Sequence, residues 1–583
     1  LPLGLPFGLP LGLPFGLPLR LRVGRRPLSL PSRRRRGEAA VRGAGKADAR
    51  GNAPGASTGA PPAAAPRAAD AVTAAIDDLV IPRLRDRLAG LEKRYSTLRP
   101  WLLFRAEDGV LILPPNKVYK LGGSGAAVLD WLARGGRLRD IPGMDGSRAA
   151  DLEAFFSEIE DASAGRPAEL GRVPYDFTFT RLPVIGELAL TYRCNSACLF
   201  CYAACGEACG EEADGGAGGA APGDASASGG AGGTEASCDS PCRRGPVIPG
   251  KAELSTADAK RVIRMFKEEA KIPFFSFTGG EPLLRDDLEE LAAYARDLGL
   301  RTNLITNGSL ATRARAASLR AAGIETAQVS LESPDREIHD RLVARSGGFD
   351  RTVAGIANLL EAGISVQTNT TLTSLNRDSL ARLPAFLKGL GVKRFSMNLF
   401  IPSGRGLSTM RLLVPYAQAG GIVDAVRKEA LACGLTFFWY SPTPYCLYNP
   451  VARGLGNKSC AALDGLVHVN PYGEILPCSS WPEPVGSVLE KDFKAVWFSD
   501  RSSYFKNKEF APESCKGCAS FLACQGACPL YWRSVGTAEI DAMADPRRTG
   551  PGRAGLGAEA GVAAQASGPA QAAAAPAAGG SGR

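Results

Sequence analysis

The sequence predicts an α/β protein: an open, partial barrel of six strand and helix units over residues 180–410, with a small α+β domain before it at 80–165 and a cysteine-rich domain after it at 435–545. Two observations predict this order. Short apolar runs alternate with amphipathic stretches through the middle of the chain, which implies a parallel sheet with outer helices. The 15 cysteines fall into spaced groups in a long chain without a secretory signal, which points to metal or redox chemistry rather than a disulfide framework.

Residues 1–75 begin with the near-repeat LPLGLPFGLPLGLPFGLPL, pass through Arg33-Arg34-Arg35-Arg36 and end in Ala, Gly and Pro with no helical or strand period. They are expected to be a disordered low-complexity tail. Twelve Arg and Lys within residues 1–70, against Glu38, Asp48 and Asp70, account for +9 of the net charge of +10. The nearly neutral remainder lacks the charge footprint of a nucleic-acid binder, so no nucleic-acid partner is expected. Pro and Gly interrupt every apolar run of the N-terminal repeat, and no stretch approaches the roughly 18 apolar residues of a membrane helix. The expectation is a cytoplasmic protein with no membrane partner.

In the 80–165 domain, residues 101–105 and 110–113 alternate like a hairpin around Glu107-Asp108-Gly109, and 126–133 and 149–160 read as helices. The barrel strands are expected at 185–190, 274–278, 302–306, 327–331, 366–371 and 395–400, with polar residues at their C-terminal ends, where such barrels place their active sites. A Gly, Ala and Ser-rich insertion at 206–250 reads as a flexible loop. Ser255 is the expected cap of the helix that follows, with Asp258 in the capping-box position. A second disordered tail is expected at 550–583.

Cys194, Cys198 and Cys201 form C-x3-C-x2-C directly after the first strand, so three thiolates from one loop can meet one metal site. Ordinary [4Fe-4S] sites use four thiolates, and three leave one iron open to something else; a zinc site is the alternative. Gly279-Gly280-Glu281-Pro282 ends the second strand, where the glycines permit close backbone approach and Glu281 can accept a hydrogen bond from an ammonium. Further cysteines run Cys460-x12-Gly473-x4-Cys478 and Cys515-x2-Cys518-x5-Cys524-x3-Cys528. For 515–528 alone, a zinc ribbon is the alternative.

The loop TYRCNSACLFCYA resembles the cluster loop of the radical-SAM superfamily, with Phe200 before the third cysteine. The resemblance implies that S-adenosylmethionine (SAM) chelates the open iron of a [4Fe-4S] cluster and is cleaved by one electron to a 5′-deoxyadenosyl radical. It assigns no catalytic residue beyond the cluster. Gly279, Gly280, Glu281 and Pro282 match the family's GGEP motif, which holds the SAM amino group. Thr306, Asn307, Ser330 and Glu332 resemble its ribose and carboxylate contacts, and Arg405 lies in a segment like its SAM-contacting glycine loop. The C-terminal cysteines resemble a SPASM domain with up to two auxiliary [4Fe-4S] clusters. By that pattern Cys460, Cys478 and Cys528, with Cys446 as a candidate fourth, hold the first, and Cys515, Cys518 and Cys524 the second. The family's final cysteine is absent, so the second cluster lacks an obvious fourth ligand; Asp541 and Asp545 are candidates. Asn116, Tyr119, Leu121 and Trp131 resemble the PqqD-like domains that hold precursor peptides.

These resemblances together imply a SPASM-type maturase of a ribosomal peptide or protein, fed by an electron donor such as ferredoxin or flavodoxin. A haem- or quinone-type cofactor maturase is the second enzyme reading, and a non-catalytic iron-sulfur electron carrier the reading from another class. Cys205, Cys209, Cys238 and Cys242 read as partly accidental thiols of a variable loop, Cys433 as a core thiol, and His339 and His468 as packing residues.

Overall fold

The computed structural model describes residues 68–113, 117–163, 180–205 and 251–544. Residues 1–67 of the tail expected at 1–75, the tail expected at 550–583, the insertion 206–250, Asn116 and Asp545 lie outside the described residues, as do Cys209, Cys238 and Cys242.

The chain divides into two compact units. The first holds α1 (Ala68–Leu98), and α2 (Gly123–Ala133) with α3 (Gly146–Ser163). Helix α1 begins inside the segment read as structureless. Its first turns, AADAVTAAI, are rich in alanine, which favours helix without supplying an amphipathic period. Leu88, Leu91 and Tyr95 are buried, Tyr95 packs against Phe156, and Arg94 pairs with Glu160 at 2.8 Å.

The second unit takes the hairpin region, residues 99–122, and everything after residue 161. Strands β1 (Leu103–Arg105), β2 (Val110–Leu113) and β3 (Lys117–Lys120) form an antiparallel sheet. Val110, Ile112 and Val118 cluster with Val184, Ile185 and Phe274. Arg105 and Asp108 form a buried ion pair at 2.7 Å; the guanidinium also donates to Leu182 O at 2.9 Å, and Asp108 accepts from Arg181 N at 2.9 Å.

The six expected strands are present as β4 (Ile185–Ala189), β5 (Phe274–Thr278), β6 (Arg301–Thr306), β7 (Ile324–Ser330), β8 (Ser365–Leu372) and β9 (Arg394–Leu399). All pair in parallel in sequence order. The sheet runs further than expected. Strand β10 (Thr436–Trp439) adds parallel to β9, and β11 (Leu466–Val469) adds parallel to β4, followed by antiparallel β12 (Glu474–Leu476) and β13 (Gly486–Ser487). Among the described residues the order is linear, from β10 to β13, so the barrel stays open.

Alternation along the strands sorts the two faces. Phe275 and Phe277 face outward; Phe275 packs on Phe266 of α4 (Thr256–Glu268), 5.3 Å between ring centroids. Ser255 caps α4 as expected, accepting from Asp258 N at 3.1 Å. The inner face is polar and internally satisfied: Asn303 donates to Ser276 and accepts from Thr326, while Gln367 donates to Ser396 and Tyr440. A sheet buried on both faces yet polar on one is shaped to hold something inside it.

Candidate functional site

Strand β4 ends at Ala189, and the chain enters the loop that carries Cys194, Cys198 and Cys201. That loop is fastened on several sides. Gly280 N donates to Thr191 O at 2.7 Å and Glu281 N to Arg193 O at 2.9 Å, so the GGEP turn is zipped onto the approach to Cys194. Only glycines allow this contact: a Cβ on Gly279 would lie 2.2 Å from Thr191 O, and its φ is +143°. Ala197 N and Leu199 N donate to the carbonyls of Val343 and Leu342, the last residues of α7 (Arg336–Val343). Arg345 donates to Asn195 O at 2.6 Å, and Asn195 exchanges hydrogen bonds with Asn307 and Ser309.

The three thiols line a cavity of about 470 Å³ within the barrel, a volume typical of small-molecule sites. Gly279, Gly280, Thr306, Asn307, Ser330 and Glu332 line it too, from the ends of β5, β6 and β7. Cys460, Cys478 and Cys528 line the same cavity.

Three expected cofactor-binding residues are placed otherwise. Glu281 is fully buried and does not line the cavity: its carboxylate accepts from Leu283 N at 3.0 Å, Thr306 Oγ1 at 2.7 Å and Asn307 N at 2.8 Å. It joins the end of β5 to the end of β6 instead of facing an ammonium in the cavity. Pro282 starts the short 3₁₀ turn after it and is likewise outside the lining. Arg405 turns its guanidinium onto backbone carbonyls of the cluster loop, Cys198 O at 3.2 Å and Cys205 O at 2.9 Å, because its own N–H is tied to Cys201 O.

The C-terminal thiols sort into a three and a four. Burial and then the neighbouring Cys460 and Cys528 thiols push the Cys478 thiol up, and burial and then Cys460 push Cys528 up to about 12. Cys446 belongs to the other group. Burial and then Cys524 push it up to about 11, and Cys515, raised to about 12 mainly by burial, feels Cys524, Cys446 and Cys518 in turn. The turn at 443–448 brings this about, since Cys524 Sγ lies against Thr443 O. Cys446 therefore stands with the second group of thiols rather than with the first. Asp541, the other candidate, also lies near Cys515, with its carboxylate hydrogen-bonded to Thr537.

The donor sets suit iron-sulfur clusters. Burial raises the Cys194 thiol to about 12 and the Cys198 thiol well above its ordinary range, which favours their ionisation only beside a cation, whereas the hydrogen bond from Cys205 lowers the Cys201 thiol to about 6 and readies it as a thiolate. Among the described residues no three side chains stand ready around a single ion. A cubane differs from such an ion, because it spreads its thiolates over separate irons.

Several residues of the site carry no sequence signal. Glu253 accepts from Thr191 Oγ1 at 2.6 Å and Tyr192 N at 3.1 Å. Glu187 lines the cavity and meets His468 Nδ1 at 2.9 Å, through strands paired in register at these two positions. His339 is buried as expected for a packing residue, but it also lines the cavity and its Nδ1 accepts from Glu332 N.

Burial pushes Glu332 up to about 8, against hydrogen bonds from Thr371 that lower it. The native state therefore binds a proton that the unfolded chain has released above about 4.3, and this contribution to stability is full below that pH. It is lost as pH rises through about 8. Glu332→Gln is expected to flatten the decline in urea midpoint of the cluster-free protein between about pH 5 and 8 by an amount on the order of 3 kcal/mol. An unchanged slope would mean that water reaches the carboxyl.

The Radical SAM superfamily model matches residues 188–388 and an iron-sulfur cluster-binding domain, SPASM, matches residues 460–519. The chain is 30% identical over 280 residues to the AdoMet-dependent heme synthase of Methanosarcina barkeri, 46% of this chain and 78% of that one. It is 28% identical over 288 residues to the PqqA peptide cyclase of Ruegeria pomeroyi, 48% of this chain and 75% of that one. Streptococcus suis SuiB, solved bound to its precursor peptide SuiA, shares the fold at 16% identity and a TM-score of 0.50, over 74% of this chain and 95% of that chain. Among the described residues, no helix is long and apolar enough to cross a membrane. The chain belongs to the radical SAM superfamily, as an enzyme with a SPASM domain that uses [4Fe-4S] clusters and SAM.

Proposed function

We propose that this enzyme matures a ribosomally made peptide or protein. The observation that carries the reading is the charge of the cavity. Its described lining holds one guanidinium and two carboxyl groups, Arg345, Glu187 and Glu332, of which Glu332 is held protonated by burial and Arg345 already donates to the cluster loop. A haem-type substrate brings several carboxylates, which need cationic partners when buried. The remaining lining is amides, hydroxyls, thiols and apolar groups, which suits an uncharged peptide segment. The alternative, a cofactor maturase, is favoured by the heme synthases among the relatives.

In this reading Cys194, Cys198 and Cys201 hold the SAM cluster, while Cys460, Cys478 and Cys528 hold the first auxiliary cluster. The second is held by Cys515, Cys518 and Cys524 with Cys446. When bound, the cluster and SAM supply one-electron cleavage and hydrogen-atom abstraction. The chain does the rest. Gly279 and Gly280 keep the wall at β5 low enough for close approach, and Glu281 fixes Thr306 and Asn307 at their rim. Ser330 and Glu332 offer hydrogen bonds from β7. The 80–165 segment, PqqD-like in sequence, presents the precursor, and a cytoplasmic ferredoxin or flavodoxin supplies electrons.

The test is anaerobic incubation of the reconstituted enzyme with SAM and dithionite, once with short peptides encoded beside its gene and once with iron coproporphyrin. A SAM-dependent mass change in a peptide alone is expected. Conversion of the porphyrin alone would replace this reading with the cofactor maturase.

A further inference from the structure

The cluster loop holds four thiols. Cys205 follows Cys201 by four positions, is 2% exposed, and lines the same cavity as Cys194, Cys198 and Cys201. Its N–H donates to Cys201 Sγ at 3.3 Å, its thiol lies against Ala203 O, and it packs with Cys194 and Cys201 in one cluster of side chains. The chain is bent to keep it there. Ala204 takes φ +50°, a turn that costs a residue with a Cβ, and Arg405 grips the carbonyls of Cys198 and Cys205 together. A spare thiol of a variable loop would need neither the turn nor the grip.

We propose that Cys205 is the fourth thiolate of the SAM-binding [4Fe-4S] cluster in the SAM-free enzyme, closing the iron that SAM later occupies. The inference rests on the reading of Cys194, Cys198 and Cys201 as the other three ligands. Four thiolates are the ordinary complement of such a cluster, and the loop carries that number in one cavity. As SAM arrives, the bond from Cys205 Sγ to iron would break, the SAM amino nitrogen and carboxylate oxygen would take its place, and the proton given up by the SAM ammonium would pass to the released thiolate. No electron moves. The exchange protects the open iron from oxidative loss while SAM is absent, and it sets a competition that SAM must win.

The test uses the full-length, anaerobically reconstituted protein and its Cys205→Ala and Cys205→Ser variants. Each is oxidised mildly with ferricyanide without SAM, and the yield of [3Fe-4S] signal per chain is read by electron paramagnetic resonance. A Cys194→Ala protein supplies the auxiliary-cluster background. Both Cys205 variants are expected to give several-fold more [3Fe-4S] signal than the unmutated protein, and equilibrium dialysis is expected to show them binding SAM about tenfold more tightly. Equal yields in all three overturn the proposal. A rise in Cys205→Ala alone, with Cys205→Ser unchanged, marks a packing effect and overturns it as well. If Cys194→Ala keeps the full iron content and SAM binding, the three-cysteine reading fails first.

Discussion

Changing Cys194, Cys198 and Cys201 together to Ala is expected to abolish 5′-deoxyadenosine formation and to lower iron by about four per chain, the content of one [4Fe-4S] cluster. The loss should be complete, because the three ligands leave one loop on one cavity wall and no other described thiol except Cys205 stands beside them. Cys460, Cys478 and Cys528 line the same cavity from other segments of the chain, so the auxiliary irons should survive the change. Anaerobic reconstitution with iron and sulfide, followed by SAM and dithionite and quantification of the nucleoside, makes the measurement. Equal product from both proteins would refute the assignment, and no product from either, at full iron loading, would return the chain to the electron-carrier class.

The largest effect on stability is expected at the hairpin turn. Arg105→Ala removes the partner of Asp108, whose carboxylate is 0% exposed and would keep the Arg181 N–H as its remaining described donor. Breaking a buried pair from one side costs about 3–5 kcal/mol, because a charge stays buried without its counter-ion. It would also leave the carbonyls of Leu182 and Pro183, just ahead of β4, without their guanidinium. Urea unfolding of the cluster-free protein followed by circular dichroism would read this as a lower midpoint. A loss below about 1 kcal/mol, as at a surface pair, would show that water relaxes in around Asp108.

The parts legible in the sequence were those with a local signature. The six barrel strands announce themselves through apolar runs, and C-x3-C-x2-C through spacing alone. Strands β10 and β11 escaped because four-residue runs such as TFFW and LVHV carry too little period; pairing with β9 and β4 makes them strands. The motif letters GGEP were readable, but the direction of Glu281 was not, since its partners Thr306 and Asn307 arrive from another strand. Arg405 was legible as part of the site and not as a clamp on its loop, for the same reason. The grouping of Cys446 with Cys524 likewise depends on a turn that brings residues 78 positions apart together, and spacing alone cannot express it.

The hairpin at 99–122 belongs by packing to the unit that carries the clusters, although the helices before and after it in the chain form a unit of their own. The N-terminal region is thus not a bead that can be cut off at one linker. A deletion to residue 165 would strip Val110, Ile112 and Val118 from the apolar cluster beneath Val184, Ile185 and Phe274. Exchange of the helical unit therefore needs two crossovers, one on each side of the hairpin, so that those three short strands stay with the barrel they cover.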